Sequence, residues 1–233
     1  MGHVHLVARD LEAQHRFWSA LGGVPRKNGG FDLYEFPGVY ILLKQGNPSG
    51  GSVGSSVNHI GFTVRNIAGW QAKWKAAGLT MEPQVRPTQF FLDGPDDVRV
   101  EIMEIPAQSE SIRMHHVHFA LADPLAAQAW YAKAFGAVPG KRAAFDTADL
   151  PGVNLTFGKD DTAVARTSGR SIDHIGFEVK GIDALVGRLK SMGVTLDRPL
   201  QQAGANPAVR IAFITDPWGT QIELTENLSQ AAR

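Results

Sequence analysis

Four stretches of this sequence repeat one another in the order A, B, A′, B′, so every copy must build the same structural unit. His3-Val-His-Leu-Val-Ala-Arg-Asp10 matches His116-Val-His-Phe-Ala-Leu-Ala-Asp123, and Pro37-Gly-Val39 returns as Pro151-Gly-Val153. A second pair is as clear. Asn58-His-Ile-Gly-Phe-Thr-Val64 matches Asp173-His-Ile-Gly-Phe-Glu-Val179, and Val100-Glu-Ile-Met-Glu104 matches Ile222-Glu-Leu-Thr-Glu226.

Each unit opens with a strand of period two, as in His59, Gly61 and Thr63 on one face and Ile60, Phe62 and Val64 on the other. A helix follows, with Asp10, Asn66 and Asp123 at N-cap positions and Gly22, Gly78, Gly136 and Gly193 placed to end it in a left-handed conformation. Short extended runs broken by Pro, Gly or Asp complete the unit, among them 33–36, 40–44, 90–92, 99–105, 154–157, 210–215 and 220–224. The pattern predicts an α+β fold of four βαβββ units. The polar, aperiodic segment 106–113 predicts a linker between an N-terminal domain, 1–105, and a C-terminal domain, 114–233. B′ is longer than B between its helix and its last hairpin, and the excess in Leu200–Arg210 implies that the halves no longer do identical work.

Composition removes several classes of function. The 233 residues carry 23 basic and 23 acidic side chains with no long basic run, which argues against nucleic-acid binding. No apolar stretch approaches the ~20 residues that span a bilayer, and no leader pattern precedes the first strand. The location therefore defaults to the cytoplasm, or to export if a signal was trimmed. With no cysteine, a metal site is left to His and carboxylate ligands. Gly29-Gly30 and Gly50-Gly51 lack the Gly-Lys-Ser or Gly-Lys-Thr pattern of a phosphate loop.

Of the eight histidines, only His15 lies outside the first strands of the units; His3, His5, His59, His115, His116, His118 and His174 lie within them. Residues i and i+2 of a strand share a face, so His3 with His5, and His116 with His118, point inward while their apolar neighbours meet the helices. Glu101 and Glu223 take equivalent places in the last strands of B and B′ and face inward by the same alternation. Each half thus offers one His from each of its units and one Glu, a set that suits Fe, Mn, Co, Ni or Zn with coordination positions left open.

These motifs resemble the vicinal oxygen chelate superfamily, which includes glyoxalase I, methylmalonyl-CoA epimerase, fosfomycin-resistance proteins, type I extradiol dioxygenases and bleomycin-resistance proteins. The resemblance covers all four units. It implies that units pair into two incomplete barrels, or cups, each holding a divalent metal. Carried over by position, the ligands are His116, His174 and Glu223 in one half and His3, His59 and Glu101 in the other. Pairing A with B′ and A′ with B instead would regroup them as His3, His174, Glu223 and His116, His59, Glu101.

Departures from the family narrow the chemistry. Leu42 and Thr156 stand where glyoxalase I and the epimerase carry a fourth ligand, and neither is a carboxylate or amide. Phe213 stands at the tyrosine position of the extradiol dioxygenases, and Gly204 near their catalytic histidine. Two residues after the first ligand, where fosfomycin-resistance enzymes place a Thr, this chain has His5 or His118, candidates for moving a proton or for supporting a ligand. Arg99, Thr156, Phe213 and Trp218 are candidate substrate contacts. The expected protein is a metal-dependent enzyme acting on a small oxygenated substrate, as a monomer or homodimer, with its active centre in the second half. The rival is a metal-independent binding protein of the bleomycin-resistance type.

Overall fold

The computed structural model describes residues 1–28, 31–84, 86–162, 164–204 and 206–231, so Gly29 and Gly30 lie outside the described residues. The first unit is β1 (His3–Ala8), α1 (Leu11–Leu21), β2 (Val24–Asn28), β3 (Phe31–Phe36) and β4 (Val39–Gln45). The second is β5 (Val57–Val64), α2 (Ile67–Ala76), β6 (Thr80–Met81), β7 (Gln89–Gly94) and β8 (Val98–Glu104). The third is β9 (Ile112–Leu121), α3 (Pro124–Phe135), β10 (Val138–Arg142), β11 (Phe145–Leu150) and β12 (Val153–Lys159). The fourth is β13 (Ile172–Glu178), α4 (Ile182–Ser191), β14 (Leu196–Ala203), β15 (Asn206–Thr215) and β16 (Gln221–Glu226), followed by a short α5 (Leu228–Ala231). No helix among the described residues is long and apolar enough to cross a membrane.

The helices start and stop where their polar residues and glycines require. Asp10, Asn66 and Asp123 each accept a bond from the backbone N–H three residues on. Gly22, Gly78, Gly136 and Gly193 all have φ between 70° and 110°, the left-handed region that favours glycine. The repeated second glutamates hold helix starts. Glu104 accepts from Ile67 N at the start of α2, and Glu226 from Gly181 N and Ile182 N at the start of α4. In the fourth unit this carboxylate stands in for the N-cap side chain that Gly181 lacks.

The units form two open eight-stranded sheets, β14-β15-β16-β13-β1-β4-β3-β2 and β10-β11-β12-β9-β5-β8-β7-β6. Each is an incomplete barrel, and each joins units from opposite halves of the sequence: the first with the fourth, the second with the third. The expected division into 1–105 and 114–233 therefore does not describe the sheets. Segment 106–113 joins two units of the same sheet, and β9 already begins within it at Ile112. The connections between A- and B-type units explain the exchange. They run side by side, with Ser56 N bonded to Ala165 O, Ser171 N to Gly50 O, and Arg170 donating to the carbonyls of Gly51 and Val53. Each connection thereby carries its chain across to the other sheet.

The apolar faces of both sheets and the helices share one core, in which Val4, Leu6, Ile60, Phe62, Val117, Phe119 and Ile175 are wholly buried. Trp74 Nε1 donates to Ala20 O at 3.0 Å, tying α2 to α1 across the sheets, and the rings of Phe36 and Phe62 meet at 4.9 Å. With these residues turned to the core, the histidines between them are turned into the cups.

Candidate metal centres

In the first cup, His3 and His5 come from β1, His174 from β13 and Glu223 from β16, all buried. One donor atom from each lies within 4.8 Å of the others. Glu223 Oε2 stands 2.9 Å from His3 Nε2 and 3.0 Å from His174 Nε2. The His3 contact lacks hydrogen-bond geometry, and both ring nitrogens of His3 are buried without a hydrogen-bond partner. A buried imidazole in that state, with a carboxylate oxygen beside it, fits a cation between them. His174 Nδ1 is bonded to Asp173 Oδ1 at 2.5 Å, which turns its Nε2 toward Glu223.

Antiparallel pairing of β1 with β13 sets His3 opposite Gly176 and His5 opposite His174. The His3 ring occupies the space a Cβ on Gly176 would need. The second cup repeats the arrangement, with Gly61 opposite His116 and the His116 ring over it. The glycine of the His-Ile-Gly-Phe motif is thus the seat for a histidine from the other half of the chain.

In the second cup, Glu101 Oε2 stands 2.9 Å from His59 Nε2 and 3.0 Å from His116 Nε2. His118 stacks on His59 at 4.4 Å between ring centroids. This centre is more crowded and more cationic. Gln89 donates to Glu101 Oε1 at 2.5 Å, and Arg142 donates to Thr156 Oγ1 at 2.7 Å. A register shift between Gly61 and Phe62 brings His115 beside His116, with 3.1 Å between their Nδ1 atoms. Asn58, a neutral amide, takes the place of Asp173.

The electrostatics follow this difference. Burial opposes charge on Glu223, but His3 and His174 hold it well below the usual carboxylate range. Burial also opposes charge on His174, yet its bonds to Asp173 and Glu223 raise its pKa. In the second cup burial dominates the imidazoles: His116 falls to about 3, His118 to about 2 with His59 and His116 adding to the effect, and His115 to about 4 with Arg142 adding to it. His5 is likewise lowered, by burial and then by His174 and His3.

The first cup opens into a cavity of about 480 Å³. Ala203, Gly204 and Asn206 from the lengthened β14–β15 hairpin line it, so the insertion in B′ extends a hairpin that serves the cup shared with the N-terminal unit. The active centre expected in the second half alone corresponds to neither cup.

The remaining candidates fall in different places. Phe213 lines the first cavity, edge-on to His174 at 5.4 Å. Thr156 is buried beside the second centre, bonded to Arg142 and Asn154. Arg99 lies on the second cup's side with its guanidinium 3.6 Å from the Phe91 ring, held by two bonds to Glu82. Trp218 stands away from both centres, in a turn where it packs against Trp130 at 6.3 Å. Sequence reasoning did not single out Gln89, Arg142, Lys44 or Arg198, which have no counterpart in the repeat. Asp173 and Gly176 did carry a signal, as the flanks of a repeated His.

The sequence model of the Glyoxalase/Bleomycin resistance protein/Dioxygenase superfamily matches residues 113–224. No curated protein matches the sequence. Among solved structures, glyoxalase I from Zea mays aligns with a TM-score of 0.75 at 16% identity, over 97% of this chain and 91% of its own. A mutant of that enzyme gives 0.77 at 15%, over 97% and 91%. A candidate dioxygenase from Bacillus subtilis subsp. subtilis str. 168 gives 0.73 at 13%, over 97% and 84%. At such identities the likeness is one of fold. Residues 113–224 thus carry the sequence pattern of the Glyoxalase/Bleomycin resistance protein/Dioxygenase superfamily, and nearly the whole chain shares the fold of glyoxalase I.

Proposed function

We propose that the protein is a divalent-metal-dependent enzyme acting on a small molecule that presents neighbouring oxygens to the metal, with the first cup as its working centre. The observation that supports this most is His3: both its nitrogens are buried without a hydrogen-bond partner, and one faces a Glu223 oxygen at 2.9 Å. Leaving such a group unsatisfied costs about 1–3 kcal/mol, which a ligated cation would recover. His3, His174 and Glu223 would hold Fe, Mn, Zn, Ni or Co. Bound there, the ion supplies Lewis-acid polarisation of the substrate's oxygens.

The chain's own residues do the rest. Asp173 fixes the tautomer and orientation of His174. His5, the fourth donor of the cluster, has its pKa lowered by burial and then by His174 and His3, and its imidazole is the group placed to accept a proton from the ligand. Leu42, Ile211 and Phe213 exclude water from the cavity wall. The second cup, with its carboxylate engaged by Gln89 and Arg142 close by, is the less hospitable to a cation.

Elemental analysis of protein prepared without tag or chelator tests this reading. A divalent transition metal is expected that Glu223→Gln loses and Glu101→Gln keeps. His5→Gln should retain the metal while losing turnover by roughly 10²–10⁴-fold. A wild type that takes up no divalent ion on reconstitution overturns the reading, and the cup is then a cleft that binds its ligand without metal.

A further inference from the structure

Resting on the first cup as the metal centre, we infer that its ligand is an anion with an apolar body: oxygens for the metal at one end, and an acid group for Lys44 and Arg198 at the mouth. Both cations line the cavity, Lys44 on β4 and Arg198 on β14, and both are exposed. Neither forms an ion pair with another side chain among the described residues. The cavity's two carboxylates are engaged elsewhere, Asp173 by His174 and Glu223 by His174 and His3. Two carboxylates, two side-chain cations and a divalent ion leave two positive charges in a cavity whose wall includes Leu42, Val209, Ile211, Phe213 and Leu228, and an anionic ligand with an apolar body balances them.

The cations are also placed. The Arg198 guanidinium lies 4.7 Å from the Phe213 ring centroid, and that ring stands edge-on to His174 at 5.4 Å. A run of guanidinium, phenyl and imidazole thus joins the mouth to a metal ligand, with one ring as the spacer. Lys44 follows Leu42 by two residues on β4, so both project from the same face.

The second cup lacks this device. Pairing of β12 with β9 puts Gly158 where β4 has Lys44, and a Cβ there would already stand 2.6 Å from His118 Nε2. The arginine over its phenyl ring, Arg99, is neutralised by Glu82. The pair of exposed cations at a cavity mouth is therefore particular to the first cup.

The test uses redox-silent zinc-loaded full-length protein and two matched probes, 3,4-dihydroxybenzoate and its methyl ester, which share a chelating oxygen pair and ring and differ in the acid group. Dissociation constants are measured by calorimetry, and zinc content is measured on every sample. The acid should bind at least about tenfold tighter than the ester, the gain from charge-assisted bonds to two cations. In Lys44→Gln/Arg198→Gln the preference should fall to about twofold or less, with zinc content unchanged. Equal binding of acid and ester to the wild type, no binding of either, or a preference that survives in the double variant each overturns the inference while leaving the metal reading intact. Failure to load zinc is instead a failure of the metal reading. In that case the acid's preference, measured on the metal-free chain, still decides for or against the two cations.

Discussion

The imidazole of His3, almost at the start of the chain, rests on the backbone of Gly176, which lies on the first strand of the last unit. No side chain fits between them. The prediction is that Gly176→Ala pushes the His3 ring off the first centre, at an overpacking cost of about 1–3 kcal/mol. Metal affinity at that centre should fall at least tenfold by chelator competition. Gly61→Ala, its counterpart under His116, should leave the first centre's metal untouched. Equal metal loss in the two variants would show that the seats do not act locally.

Asp173 orients His174 through its Nδ1, so Asp173→Asn should weaken metal binding by about 10–100-fold while the fold persists. Calorimetric titration of the metal-free variant, with circular dichroism as the fold control, reads this directly. An unchanged affinity would mean that backbone and packing alone set the ring.

Acid should destabilise the metal-free protein before its carboxylates titrate. Burial depresses His5, His59, His115, His116 and His118 in the folded state, while His174 is raised by its bonds to Asp173 and Glu223. A depressed histidine binds its proton more readily when unfolded, so its contribution is complete above about pH 6.5 and is lost as pH falls toward the folded values, such as about 4 for His115. Each such group contributes a slope of up to about 1.4 kcal/mol per pH unit, and His174 opposes with the reverse sign. Urea midpoints in chelator should therefore drop between pH 7.5 and pH 5.5, and a flat profile over that window would contradict the burial of these rings.

Tyr131 donates to Asp216 at 2.8 Å, and through it α3 of the third unit holds the β15–β16 turn of the fourth. Asp216 also accepts from Trp218 N and Thr220 N, and burial raises its pKa. Tyr131→Phe deletes one bond to a buried carboxyl and should cost about 1–3 kcal/mol in denaturant unfolding. Metal content should not change, because this contact lies away from both cups.

Much of the architecture was legible in the residues themselves. The fourfold repeat, the three N-cap side chains, the four helix-ending glycines and the alternation that turns histidines one way and valines the other are local properties, decided by dihedral preference and period. The six His and Glu positions at the bottoms of the cups follow from the same alternation. The register shift that brings His115 beside His116 could not be read this way, because a bulge changes which face a residue takes without changing the residue.

Partnership is what only the tertiary structure decided. The first strands of the A-type units are nearly alike, and so are those of the B-type units, so the hydrogen-bond ladder and the buried faces are equally satisfied by either pairing. The choice falls to the two crossing connections, where Arg170 and the serines around it bind segments more than 100 residues apart. That choice moves Glu223 from His116 to His3, sets the extended β14–β15 hairpin beside the N-terminal unit, and brings Lys44 and Arg198 to one cavity. Local sequence determines which side chains face inward, and long-range chain connectivity determines whom they meet.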